Sequence, residues 1–232
     1  MITTILLDYG NVLGYPANGN WFLTPNTRKT VGTANFARLN ANADKLADAF
    51  AVAKRYLDDN HSLTTEAEEY AQFTEFYHRL AAALGVRLSV EICETLSHEH
   101  VYSDVSQLLY PDVLPAVRAL KEQYKVGILS DTWPSLRRRL TNAGITPHLD
   151  ALVMSCDHGI TKENTRLFEI AVEQIGETAE SILFVDDMEV NLQTAKAIGM
   201  RPVLMDRDGK AQSSKFPIIR NLAEIAVLAA RA

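Results

Sequence analysis

Ile5-Leu6-Leu7-Asp8-Tyr9-Gly10-Asn11-Val12-Leu13 carries an apolar run straight into a carboxylate, with a glycine and an asparagine close behind. A short run that is apolar on both faces reads as a buried strand of an α/β sheet, because each face must be covered. Asp8 then stands at the carboxyl end of that strand, where open α/β sheets place their ligands. By itself an aspartate there could equally cap a helix or open a turn. The remainder of the chain decides between these roles.

Outward from this stretch, Gly14, Pro16, Gly19 and Pro25 punctuate a loop. From about Val31 to the neighbourhood of His100 the pattern is helical. Phe36, Leu39, Ala43, Leu46, Ala47 and Phe50 recur at helical spacing, as do Phe73, Phe76, Tyr77, Leu80 and Leu84, with Gly85 as the stop. Ser89 ahead of Val90, Ile92, Cys93 and Leu96 reads as a serine N-cap. No sustained alternation interrupts this region, so it is expected to be a helical bundle.

From Tyr110 onward helices alternate with short apolar runs. Helices are expected over Pro111 to Tyr124, Pro134 to Ala143, Glu163 to Ile175, Val190 to Ile198 and Ile218 to Ala230. Strands are expected at Val126-Gly127-Ile128-Leu129, Ala151-Leu152-Val153-Met154, Ile182-Leu183-Phe184-Val185 and Pro202-Val203-Leu204-Met205. Arg207-Asp208-Gly209-Lys210 to Ser214 reads as a polar, mobile, turn-rich loop. Alternating strands and helices imply a parallel sheet with helices on both faces. Roughly a hundred residues separate the first strand from the others, too many for a crossover connection. The fold class is therefore α/β, with a Rossmann-like parallel sheet core of residues 1–13 and 111–232 and an inserted all-helical domain over residues 14–110.

The totals set limits on partners. Apolar content of 47% and charged content of 22% over 232 residues are those of a globular protein with a sizeable core. With 23 basic against 29 acidic residues the net charge is −6, so neither nucleic acid nor an anionic membrane is an expected partner. The densest basic spot, Arg137-Arg138-Arg139, reads as a solvated helix face. Cys93 and Cys156 show no metal or redox spacing and fit a reducing compartment. Neither a leader pattern nor a bilayer-length apolar run is apparent, and the expected location is the cytoplasm.

Asp8, Ser130 and the pair Asp186-Asp187 each end an apolar run, and Lys162 follows Gly159-Ile160-Thr161 shortly after another. Singly, each is an ordinary cap, turn or surface residue. Together, at one edge of one sheet, they suit a joint task. Carboxylates from the first and last positions suit a hard cation such as Mg²⁺. A hydroxyl and an ammonium opposite it would neutralise a phosphoryl group during transfer, with Asp8 placed as the nucleophile. Phosphoreceiver domains use a similar kit, but there the acidic pair comes early and the acceptor aspartate in mid-chain.

Four motifs in order resemble those of the haloacid dehalogenase-like hydrolase superfamily: Leu7-Asp8-Tyr9-Gly10-Asn11-Val12-Leu13, Ile128-Leu129-Ser130-Asp131, Gly159-Ile160-Thr161-Lys162 and Phe184-Val185-Asp186-Asp187-Met188-Glu189-Val190-Asn191. The inserted helical region resembles the cap of that superfamily. The resemblance implies that Asp8 forms an aspartyl-phosphate, and that Mg²⁺ is held by Asp8, the Gly10 carbonyl and Asp187. It further implies that Ser130, Lys162, Asn11 and Asp131 bind the phosphoryl group, with Lys162 also orienting Asp8 and Asp186 supporting the site. The implied substrate is a small phosphorylated metabolite. The oligomeric state is not implied.

Phosphatases of this superfamily usually carry a second aspartate two residues after the nucleophile, where this chain has Gly10. Loss of such a general acid typically costs ~10²- to 10⁴-fold on a poor leaving group. Either a good leaving group, such as an anomeric sugar phosphate, or a proton supplied by a residue of the inserted domain or by water is therefore expected. The rival readings are a 2-haloacid dehalogenase, which attacks carbon and usually needs no metal, and a phosphate-binding regulatory module with poor turnover. Tyr15, Trp21, Phe22, Tyr102 and Tyr110 are read chiefly as packing, and His98 and His100 stay outside the site because residues two apart do not share a helix face.

Overall fold

The computed structural model describes residues 1–39 and 43–231. In chain order the elements are β1 (Thr4–Leu7), β2 (Gly14–Pro16), α1 (Thr27–Val31), α2 (Thr33–Leu39), α3 (Ala43–Asp59), α4 (Glu66–Ala83), α5 (Val90–Tyr102), β3 (Gln107–Leu109), α6 (Val113–Lys121), β4 (Lys125–Ser130), α7 (Leu136–Asn142), β5 (Ala151–Met154), α8 (Ser155–His158), α9 (Thr165–Ile175), β6 (Ile182–Asp186), α10 (Glu189–Ala197), β7 (Arg201–Met205), β8 (Ile218–Ile219) and α11 (Glu224–Arg231). Among the described residues no helix is long and apolar enough to cross a membrane.

The chain divides into two compact units, Met1–Tyr15 with Leu109–Ala232 and Pro16–Leu108. In the first, six strands form one sheet in the order β5-β4-β1-β6-β7-β8. Every neighbouring pair in it is parallel. All four residues of β1 are buried, which is why its sequence is apolar without alternation. The chain runs from β1 outward through β4 to β5, then returns to the other side of β1 as β6 and continues to β7. This reversal makes β1 the switch point of the sheet, the position at which such folds open a crevice at their carboxyl edge.

Close packing fixes the register around β1. Leu7 lies opposite Ile128 of β4 and Val185 of β6. Gly127 suits the close packing in β4, since a Cβ there would stand 3.0 Å from Leu6 Cδ1 and 3.4 Å from Ala151, and Leu6 would have to give way. On one face of the sheet Phe168 of α9 meets Phe184 of β6 edge to face, with ring centroids 5.2 Å apart. Leu6, Leu129, Leu167 and Leu192 belong to the same cluster, each fully buried.

The second unit is helical from α1 to α5. α4 opens on a capping box: the Thr65 side chain accepts from Glu68 N–H, and the Glu68 carboxylate accepts from Thr65 N–H. Phe73 and Phe76 are fully buried on α4, and the Phe73 ring stacks on His100 of α5 at 3.7 Å. His100 is thus a core residue of this unit. Phe22 packs against Phe76 at 5.6 Å and Tyr102 against Tyr70 at 6.1 Å. The helical run expected from Phe36 through Ala43 to Phe50 is observed as α2 and α3, and residues 40–42 lie outside the described residues.

Several local expectations are corrected. β2 and β3, which pair with each other, fall within residues 14–110, expected to be all-helical after an opening loop that takes in β2. Ile218 and Ile219, expected to begin the last helix, form the edge strand β8, and that helix starts at Glu224. Glu224 Oε1 accepts from Arg220 N–H and Asn221 N–H, which closes the turn between them. In the basic triplet, Arg137 is exposed and pairs with Asp157, whereas Arg139 faces inward at 7% exposure. Both cysteines are free thiols buried in different units.

Candidate active site

The site grows from the register of β1. Because Leu7 is level with Val185, the next residue along each strand brings Asp8 beside Asp186. The Asp8 N–H donates to Val185 O at 2.9 Å, extending the pairing by one step. Ser130 is the last residue of β4 on the other side of β1 and is 2% exposed. The two neighbours of the central strand therefore end in a hydroxyl and a carboxylate, flanking Asp8.

Lys162 enters from the segment after β5. Gly159 takes a left-handed conformation that ends α8 and turns the chain inward. The Lys162 N–H donates to Asp131 Oδ1 at 2.9 Å, anchoring the backbone. Its ammonium, 2% exposed, lies 2.6 Å from Asp186 Oδ2 and 2.9 Å from Asp8 Oδ1. The first contact is a hydrogen bond. The second is an ion pair by distance whose alignment leaves Asp8 Oδ1 without a hydrogen-bond partner.

The two carboxylates of the acidic pair are in different situations. Asp186 is fully buried and saturated: Oδ1 accepts from Met188 N–H at 2.7 Å, and the Asn191 amide donates to both oxygens at 3.1 Å. Asp187 is half-buried, and its Oδ2 accepts from the Asn11 amide at 2.8 Å. Asn11 reaches it from a left-handed conformation, φ 52°. That geometry is uncommon outside glycine and is tolerated best by asparagine and aspartate. Gly10 and Asn11 belong to a closed turn in which Leu13 N–H and Gly14 N–H both donate to Tyr9 O, and Asn11 N–H to Gly14 O.

Gly14 permits this turn for steric reasons, since a Cβ there would stand 2.6 Å from the Tyr9 ring. Gly14→Ala is expected to lower the stability of the protein by about 1–3 kcal/mol, the usual cost of overpacking. Chemical denaturation of the two proteins checks it, and equal midpoints would remove the steric constraint.

Burial disfavours an ionised Asp8, and Asp186 and Asp187 add to the effect, so that its pKa is raised to about 7 even with Lys162 beside it. Asp187 is likewise raised, first by burial, against the hydrogen bond from Asn11. For Lys162, burial opposes the charge but the carboxylates of Asp8, Asp186 and Asp131 outweigh it and push its pKa up. The ammonium is therefore permanent, and the carboxylates are in excess.

This is the arrangement a hard cation fits. Among the described residues, Asp8, Asp186 and Asp187 bring ligand oxygens within 4.8 Å of one another. Asp186 has spent its lone pairs on Met188, Asn191 and Lys162. Asp8 and Asp187 have not, and oxygen-only donors of this kind suit Mg²⁺.

All the residues singled out in the sequence fall at this edge of the sheet. Hydrogen bonds and ion pairs join Asp8, Asp186 and Asp131 through Lys162, and Asp187 with Asn11; the two groups meet where the three carboxylates approach within 4.8 Å, while Ser130 and Gly10 are placed by their elements. Asn191 went unassigned. Its cue was its place in the first turn of α10, five residues beyond Asp186, where its amide faces back onto that carboxylate.

A carboxylate, a buried lysine and an acidic pair thus meet at the switch point of a parallel sheet. The haloacid dehalogenase-like hydrolase family model matches residues 3–199, and the chain belongs to that family. Among its relatives, the GMP/IMP nucleotidase YrfG of Escherichia coli is 27% identical over 202 residues, covering 86% of this chain and 81% of that protein. Two solved structures share the fold. A 2-haloacid dehalogenase from Pseudomonas syringae has a TM-score of 0.63 at 20% identity, covering 100% of this chain and 99% of its own. A HAD phosphatase from Thermococcus onnurineus has a TM-score of 0.63 at 18% identity, covering 98% and 97%.

Proposed function

We propose that this hydrolase is a Mg²⁺-dependent phosphomonoesterase for a small phosphorylated metabolite, acting through a phosphoryl group carried on Asp8. The observation that carries this reading is the convergence of Asp8, Asp186 and Asp187, with oxygens within 4.8 Å of one another, while the Lys162 ammonium contacts only the first two. Asp8, Asp187 and the Gly10 carbonyl would hold a Mg²⁺ ion, which would supply the charge neutralisation that phosphoryl transfer needs. The kinship with a GMP/IMP nucleotidase supports a small phosphorylated substrate, since a nucleotide is one.

The chain's own residues divide the work. An Asp8 oxygen attacks phosphorus, and the bond from phosphorus to the leaving oxygen breaks with its electron pair moving to that oxygen. Ser130 and Lys162 bind phosphoryl oxygens. Asp131 holds the Lys162 backbone, Asp186 holds its ammonium, and Asn11 steadies Asp187. Water then attacks phosphorus, releasing inorganic phosphate and returning Asp8 as a carboxylate. Because Gly10 offers no proton, the leaving oxygen takes one from water or departs as a stable anion.

Hydrolysis of para-nitrophenyl phosphate with Mg²⁺, and its loss on chelation, is the expected result. Aryl and anomeric phosphates are expected to exceed simple alkyl phosphates in kcat/KM by ~10²-fold or more, the scale of a missing general acid. Equal rates across that series would contradict the leaving-group argument. Gly10 favours one second reading, attack of Asp8 on the carbon of a 2-haloacid. Chelator-insensitive release of halide would replace the phosphatase reading, and tight phosphate binding without turnover would replace both.

A further inference from the structure

Arg207 lies in the loop after β7, a stretch expected to be a mobile polar turn, yet its side chain is only 8% exposed. Its Nη2 and Nε donate to the Val12 carbonyl at 2.6 and 3.2 Å. Its Nη1 lies 2.8 and 3.0 Å from the two oxygens of Asp112, and its guanidinium stands 4.2 Å over the Tyr110 ring. Asp112 Oδ2 also accepts from Leu222 N–H at 2.9 Å, and Tyr110 N–H donates to Leu13 O at 3.0 Å. One arginine thus ties the residues that follow Asn11 to the start of α6 and to the segment before α11.

We propose that Arg207 is a positioning residue that sets the Gly10–Asn11 turn through the Val12 carbonyl. Val12 is the residue between Asn11 and the Leu13 and Gly14 amides that close the turn on Tyr9 O. A planar guanidinium can hold the carbonyl and the carboxylate together because its donors are fixed in one plane. Lysine, with a single nitrogen, cannot span both at these distances. The Asn11 φ of 52° is a conformation that the surroundings must enforce, and the Asn11 amide is what reaches Asp187. Asp112 is a firm anchor. Burial opposes its charge, but the hydrogen bonds from Arg207 and Leu222 N–H outweigh it and hold its carboxyl below the ordinary value.

The functional consequence rests on the reading of Asp8 and Asp187 as a Mg²⁺ site, whereas the constraint on the turn does not. Amide hydrogen exchange of the metal-free protein, resolved at Leu13 and Gly14, tests the constraint directly. In Arg207→Ala these amides are expected to exchange roughly tenfold faster, as befits loss of a charge-assisted bond, with α9 unchanged. The Mg²⁺ concentration giving a half-maximal thermal shift is expected to rise about tenfold by the same reasoning, and Arg207→Lys to recover only part of either effect. If Arg207→Ala does not fold, Asp112→Asn keeps the Val12 contact and is expected to accelerate the same two amides less. Exchange at Leu13 and Gly14 equal to the parent, or faster everywhere alike, would overturn the proposal. A parent protein without turnover would overturn the phosphatase reading and leave the exchange result to stand or fall separately.

Discussion

Asp8→Asn is expected to abolish turnover and, in the metal-free protein, to raise the melting temperature. The first effect follows from removing the attacking oxygen's charge and is expected on the order of 10⁴-fold or more, as for other catalytic nucleophiles. The second follows from the pKa. Asp8 is raised from 3.8 to about 7, so the folded protein binds its proton more tightly than the unfolded chain does. Its contribution to stability is full below the unfolded value and is lost as pH rises through the folded one. At pH 8 the ionised carboxylate is therefore a burden that asparagine does not carry, while Lys162 keeps Asp186 at 2.6 Å. A gain of about 1–3 kcal/mol, or roughly 3–8 °C, is expected at pH 8 and little at pH 4. Thermal unfolding across that range checks it. A melting temperature that falls at pH 8 would mean that Asp8 stabilises the fold.

Lys162→Met has the opposite sign. The ammonium is 2% exposed between two carboxylates, and its removal leaves their charges buried without compensation. Losing one partner of a buried ion pair costs about 3–5 kcal/mol, here roughly 10 °C in melting temperature. Turnover is expected to disappear as well. Adding Asp186→Asn to Lys162→Met is expected to recover part of the stability and none of the activity, because it removes one stranded charge but restores no cation. Chemical denaturation of the single and double variants decides. If Lys162→Met is as stable as the parent, the carboxylates are not held by this lysine.

Much of this site was legible in the sequence because buried parallel strands announce their own ends. Leu7-Asp8, Leu129-Ser130 and Val185-Asp186 each switch from fully buried apolar to polar within one step; the register sets the first and last level, and the Ser130 step falls one residue further along. The edges of the sheet were less legible. β2 and β3 are short, partly exposed segments without periodicity. Ile218 and Ile219 looked continuous with the last helix, although the spacing of Asn221 and Glu224 marks where that helix is capped. Arg139 was hidden because three arginines in a row do not show which of them faces inward. Asn191 acts locally, on a carboxylate five residues back, whereas Arg207 and its partner Val12 are joined only by the fold. Arg207 meets Val12 from 195 residues away, a contact that no local pattern encodes.

The central claim is that Asp8 itself carries the phosphoryl group. The most direct measurement is acid quenching during steady-state hydrolysis of para-nitrophenyl phosphate with Mg²⁺, followed by peptide mass mapping. The account predicts a phosphoryl adduct on the peptide containing Asp8, absent in Asp8→Asn. Turnover with no adduct on Asp8, or with the adduct on another residue, would contradict it.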